Sequence, residues 1–123
     1  MQENKQFKNK NFIEAWKKAF AGILYAIKSQ RNVKIQLVIA IIVIISGIII
    51  KFTITEWIAI IIVTMLVIIT EVINTAIEET VNLCTKEYHP IAKIAKDTSA
   101  GAVVLAALTA VIVAILILIG RLM

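Results

Sequence analysis

A single cysteine, Cys84, stands in the chain, so no intrachain disulfide can form and the fold must hold without one. One proline and four glycines among 123 residues leave little to interrupt long helices. Acidic residues are scarce: eight Asp and Glu face thirteen Lys and Arg, a net charge of +5. Neither GxxxxGK[ST] nor GxGxxG occurs, which excludes a P-loop and a soluble protein-kinase fold. Nucleic-acid motifs, repeats and low-complexity tracts are also missing, so the basic excess reads as membrane topology and no nucleic-acid partner is expected. The first 34 residues are polar and lysine-rich, without the short apolar region of a signal peptide, and no cleaved leader is expected.

What the chain has in abundance is apolar residues, 60% of the total, with a mean hydropathy of +0.93. The excess lies in three uncharged runs, Ile35–Ile50, Trp57–Thr70 and Thr98–Gly120. A spanning helix needs about 17–25 mostly apolar residues. The third run meets that length, the first does so if residues 32–34 join it with Lys34 snorkelling, and the second only by continuing to about Val81. The expected fold is therefore an all-α integral membrane domain with spans near 32–51, 55–83 and 96–120.

Ahead of the spans, residues 10–28 predict a further helix. Phe12, Ile13, Trp16, Ala19, Phe20, Ile23 and Ile27 share an arc of about 120°, with Glu14, Lys17, Lys18 and Lys28 opposite. Such a helix lies in the headgroup layer. Eleven basic residues fall before the first span and between the second and third, against Lys51 and Arg121 on the other side. By the positive-inside rule the N-terminus and the 84–96 loop face the cytoplasm, with Cys84 at that reducing face.

The second span carries an anomaly. Glu71, Asn74, Glu78 and Asn82 interrupt its cytoplasmic half and share about 80° of helical arc. An ionisable group at membrane depth costs about 2.5–3.5 kcal/mol on the insertion scale and is a functional candidate by default. Counted from Trp57 as the outer anchor, Glu71 lies about 21 Å and Glu78 about 31 Å along the axis. Glu71 is thus submerged, while Glu78, Glu79 and Asn82 approach water. The loop TKEYHPIAKIAKD then supplies Glu87, His89, Lys96 and Asp97, with Pro90 favouring a break between helices. Singly, His89 reads as a hydrogen-bonded loop residue, Lys96 as a snorkelling lysine, Asp97 as the N-cap of the third span and Glu79 as a solvated charge. Together, carboxylates and a cation at one depth suit phosphoryl transfer, in which carboxylates hold Mg²⁺ and a base takes the acceptor's proton.

The run Glu71-x-x-Asn74-Thr75-Ala76-Ile77-Glu78-x-x-Val81 resembles the signature of the prokaryotic diacylglycerol kinase family. AKDTSAGAVVL, residues 95–105, and the Tyr88-His89 pair are similar to further family positions, and the resemblance covers essentially the whole chain. Arg31-Asn32 and Ala100-Gly101-Ala102-Val103 resemble the Gram-positive branch of undecaprenol kinases. The resemblance implies a homotrimer in the bacterial inner (plasma) membrane, with composite sites between subunits. It implies ATP and Mg²⁺ from the cytoplasm and a lipid alcohol from the bilayer, undecaprenol first and diacylglycerol next. Carried over by position, Glu71 would be the base and Asn74 would orient it. Glu78 would hold Mg²⁺, with position 30 as a second metal position. Lys96 would contact phosphates, Asn82, Glu87, His89 and Asp97 would border the nucleotide together with Glu78, and Ala100 with Glu71 would border the lipid.

Two positions depart from the family pattern: Gln30 and Asn82 each stand where it has a carboxylate. An amide oxygen can ligate a metal but lacks the charge of a carboxylate. Besides a lipid kinase, the residues therefore admit a kinase-like protein that binds nucleotide or lipid without turnover. They also admit an oligomeric cation pathway, against which the unrelieved apolar run WIAIIIVTMLVII counts. The topology is testable by labelling. In a Cys84→Ala background, cysteine at Thr85 should react with a water-soluble maleimide from the cytoplasmic side only, and cysteine at Thr70 hardly at all. Equal labelling from both faces would overturn it.

Overall fold

The computed structural model describes residues 4–123. It contains four long helices and no strand among the described residues: α1 (Phe12–Ser29), α2 (Arg31–Ile50), α3 (Ile54–Cys84) and α4 (Pro90–Leu122). A short 3-10 turn, Lys5–Phe7, precedes α1. Helices α2, α3 and α4 are each long and apolar enough to cross a membrane. At 1.5 Å per residue α3 is about 46 Å long, so it outruns a hydrocarbon core of about 30 Å and extends into the headgroup layer.

Local chemistry sets the boundaries. The Asn11 side chain accepts from the Glu14 backbone N–H to start α1. Thr53 and Glu56 form a reciprocal capping box at the start of α3. For α4 the cap is His89, whose Nδ1 accepts from the Ile91 N–H at 3.1 Å, with Pro90 at the first helical position. This corrects one expectation: Asp97 is not an N-cap, because α4 begins at Pro90 rather than near 96. The polar turns from Pro90 to Lys96 hide the helix from a hydropathy reading, which finds where a helix becomes apolar and not where it begins.

The apolar face of α1 is open, with Phe12 75% and Trp16 51% exposed. Phe12, Trp16 and Phe20 form an aromatic ladder with successive ring centroids 5.8 Å apart. This is the face a surface helix turns to lipid. One residue, Gln30, separates α1 from α2, and Ala26 and Val33 on either side of the corner are buried. The Tyr25 hydroxyl faces Glu79 of α3, and that carboxylate's charge is the main cause pushing the phenol above its ordinary value. Glu79 is thus engaged by α1 rather than only solvated.

The most extensive pairing is between α3 and α4. Their far ends are clasped. Arg121 donates from Nε and Nη2 to both oxygens of Glu56, at 2.7 and 2.6 Å, and from Nη2 to the Lys51 carbonyl at 3.0 Å. Its guanidinium lies 5.4 Å from the Phe52 ring centre, and that ring meets Trp57 edge-on at 5.3 Å. Lys51 takes the left-handed conformation (φ 65°) that ends α2 and turns the chain beneath this clasp. Gly47 leaves room for the rings: a Cβ there would sit 2.6 Å from Phe52 Cδ2 and from Trp57 Cη2. Gly47→Ala should therefore destabilise the fold by about 1–3 kcal/mol, the usual cost of overpacking, read as a lower unfolding temperature in detergent. An unchanged temperature would mean that the ring pair is not packed on α2.

Candidate active site

The polar stripe of α3 is buried at Glu71 and Asn74, half-buried at Glu78 and exposed at Asn82. Glu71 is 2% and Asn74 7% exposed, and the buried Thr75 hydroxyl donates to the Glu71 carbonyl at 3.0 Å. Glu78, one turn beyond Asn74, is half-buried. Asn74 Nδ2 donates to Glu78 Oε1 at 3.0 Å, and Gln30 Nε2, at the α1–α2 corner, donates to Oε2 at 3.1 Å. Asn74 Oδ1 is left buried without a partner. A buried acceptor without a donor costs about 1–3 kcal/mol, so its presence in this site points to a missing donor or cation.

A second assembly lies one turn further along α3. Asn82 Oδ1 accepts from Lys96 Nζ of α4 at 2.7 Å, and Lys93 pairs with Asp97. The α3–α4 connection and the helix ends around it enclose a cleft of about 400 Å³, whose lining includes Asn82, Glu87, His89, Lys96 and Asp97. Five of the residues expected near a nucleotide are thus gathered in one polar cleft, while Glu71, Asn74, Glu78 and Gln30 form the adjoining cluster. Ala100 is exposed and Glu78 does not line the cleft, so neither joins the five. Lys86 and Lys93 also line it, and the sequence reading missed both. The spacing Lys93-x-x-x-Asp97 on one helix was the available signal for the second.

A buried carboxylate and an amide-held carboxylate thus lie in order along α3, and a lysine-bearing cleft follows at its junction with α4. A family model for prokaryotic diacylglycerol kinase matches residues 17–118, and the chain belongs to that family. It is 36% identical over 111 residues to the undecaprenol kinase of Bacillus subtilis, covering 90% of each chain. It is 39% identical over 104 residues to a diacylglycerol kinase of Synechocystis sp., covering 84% of this chain and 59% of that protein.

The Asn82–Lys96 contact ties the two walls of the cleft. Asn82→Asp would turn it into an ion pair at the protein surface, where such pairs add about 0.2–1 kcal/mol. The unfolding temperature in detergent should rise slightly and the gain should vanish in high salt. A salt-independent change, or a loss, would mean that Lys96 is held otherwise.

Proposed function

We propose that this chain phosphorylates the hydroxyl of a membrane lipid alcohol, undecaprenol first and diacylglycerol next, using ATP and Mg²⁺. In this reading it acts as a homotrimer in the bacterial plasma membrane, with the site at the cytoplasmic face. One observation carries the proposal: buried Glu71 and Asn74 and half-buried Glu78 lie along α3 one turn short of a cleft bearing Lys86, Lys93 and Lys96. A lipid alcohol can approach from the bilayer side, and a polyanionic nucleotide from water. The relatives named above support the same class of acceptor.

The residues fit the chemistry. Among the described residues no group of three His, Cys, Asp or Glu surrounds a common point, but Mg²⁺ needs only one or two protein carboxylates when phosphates supply further oxygens. Glu78 would be that carboxylate, and the unpartnered Asn74 Oδ1 is a second hard oxygen beside it. The ion would neutralise charge on the phosphates. Glu71 takes the proton of the lipid hydroxyl as its oxygen attacks the γ-phosphorus, and the bond to the bridging β–γ oxygen breaks to release ADP. Asn74, expected to orient the base, gives its N–H to Glu78, and Lys96 contacts phosphate charge that grows in the transition state. Asn82, Glu87, His89 and Asp97 border the nucleotide, and Ala100 borders the lipid.

The Gln30–Glu78 hydrogen bond favours a second reading, a kinase weakened by the loss of one anionic ligand. The two readings share a test. Glu71→Gln should lower phosphoryl transfer by about 10²–10⁴, the range of general-base catalysis, while nucleotide binding stays nearly intact. A variant that turned over lipid normally would remove Glu71 from the role of base. Loss of nucleotide binding along with turnover would place it in the nucleotide site instead.

A further inference from the structure

Gln30 is placed with more care than a spectator needs. It is the one residue between α1 and α2, with φ −114° and ψ 119°. Its backbone is fixed from both sides: its N–H donates to the Ala26 carbonyl at 3.0 Å, and its own carbonyl accepts from Lys34 N–H at 3.5 Å. The side chain is thereby delivered to Glu78, 48 residues away in sequence. The atom that Gln30 presents to Glu78 Oε2 is its amide Nε2, a donor meeting an acceptor at 3.1 Å. With Asn74 donating to the other oxygen, both oxygens of Glu78 are held by amide N–H groups. Bonds from N–H to a charged acceptor are about twice as strong as neutral ones.

We propose that Gln30 is a positioning residue: its amide N–H holds Glu78 in place in the absence of metal, standing in for a cation rather than ligating one. The proposal rests on the reading of Glu78 as the cation-binding carboxylate. The geometry explains why a neutral donor is tolerated where a second carboxylate would be expected. Two carboxylates meeting at about 3 Å repel unless a cation lies between them, so a glutamate at position 30 would make this corner depend on bound metal. A glutamine makes it self-sufficient. It also pins the α1–α2 corner to the helix that carries the site, so the surface helix and the stripe are fixed as one unit before any nucleotide arrives.

The two roles give opposite signs in a metal-binding experiment. The full-length protein in detergent, Gln30→Met (similar length, no donor) and Gln30→Glu would be compared in two ways. Thermal unfolding would be followed by tryptophan fluorescence in EDTA and in Mn²⁺, and Mn²⁺ affinity by the paramagnetic signal of the free ion. Wild type should melt at nearly the same temperature in both buffers. Gln30→Met should melt about 2–8 °C lower in EDTA, the shift that loss of one such contact produces in a domain of this size, and should bind Mn²⁺ no more weakly than wild type. Gln30→Glu should melt lowest in EDTA, recover in Mn²⁺ and bind Mn²⁺ at least tenfold more tightly. Wild-type stability in EDTA for Gln30→Met, or weaker Mn²⁺ binding by it, would overturn the proposal and make Gln30 a ligand through its carbonyl. If none of the three bound Mn²⁺, the assignment of Glu78 to metal would fall, while the positioning role would still be decided by the EDTA melting temperatures.

Discussion

Both oxygens of Glu78 accept from amide N–H groups, one on its own helix and one at the corner between α1 and α2. Much of the half of the molecule around the α3–α4 connection follows from that constraint. Half-burial strips a carboxylate of part of its hydration, which donors of the chain must replace. The protein answers with donors placed at fixed points: Asn74 one turn away along α3, and Gln30 at the single break that folds the surface helix onto the span. Asn74 spends its N–H on Glu78 and is left with a buried carbonyl oxygen that nothing in the chain satisfies. The site is therefore fixed on its anionic side and incomplete on its acceptor side, as expected of a place prepared for a ligand.

The two ends of the bundle solve different problems. At one end Arg121, Glu56, Phe52 and Trp57 close the helices over Gly47 with paired charges and tight packing. At the other, α3 and α4 are joined by five residues and held across a cleft by the Asn82–Lys96 contact. The first packs two aromatic rings tightly against Gly47 and the second keeps about 400 Å³ open. A membrane enzyme that draws one substrate from lipid and another from water needs that asymmetry, with rigidity at the closed end and polar access at the other.

The three long apolar helices, the amphipathic helix ahead of them and the one-sided polar stripe were legible in the sequence because they depend on periodicity and composition. That positions 30 and 78 meet was expected from the resemblance, but the direction of their contact was not legible. Position 30 looks like a weakened metal ligand when read alone, and only the fold shows that its N–H, not its carbonyl, meets the carboxylate. Asp97 was misread as a cap because His89 and Pro90, seven or more residues earlier, already start the helix. His89 itself followed the plainer reading: its Nδ1 caps α4. The Arg121–Glu56 clasp joins residues 65 apart and carried no local signal.

The central claim is that phosphate leaves a nucleotide in the cytoplasmic cleft and arrives on a lipid hydroxyl beside Glu71. The most direct measurement follows the phosphorus. Purified protein in liposomes containing undecaprenol would be given ATP labelled at the γ-phosphate with Mg²⁺, and the label would be sought in the lipid fraction while ADP is counted in water. The account predicts labelled undecaprenyl phosphate accumulating one-for-one with ADP, slowly, and only when Mg²⁺ is present. ADP formed with the label recovered as inorganic phosphate, or no label in any lipid alcohol offered, would contradict it.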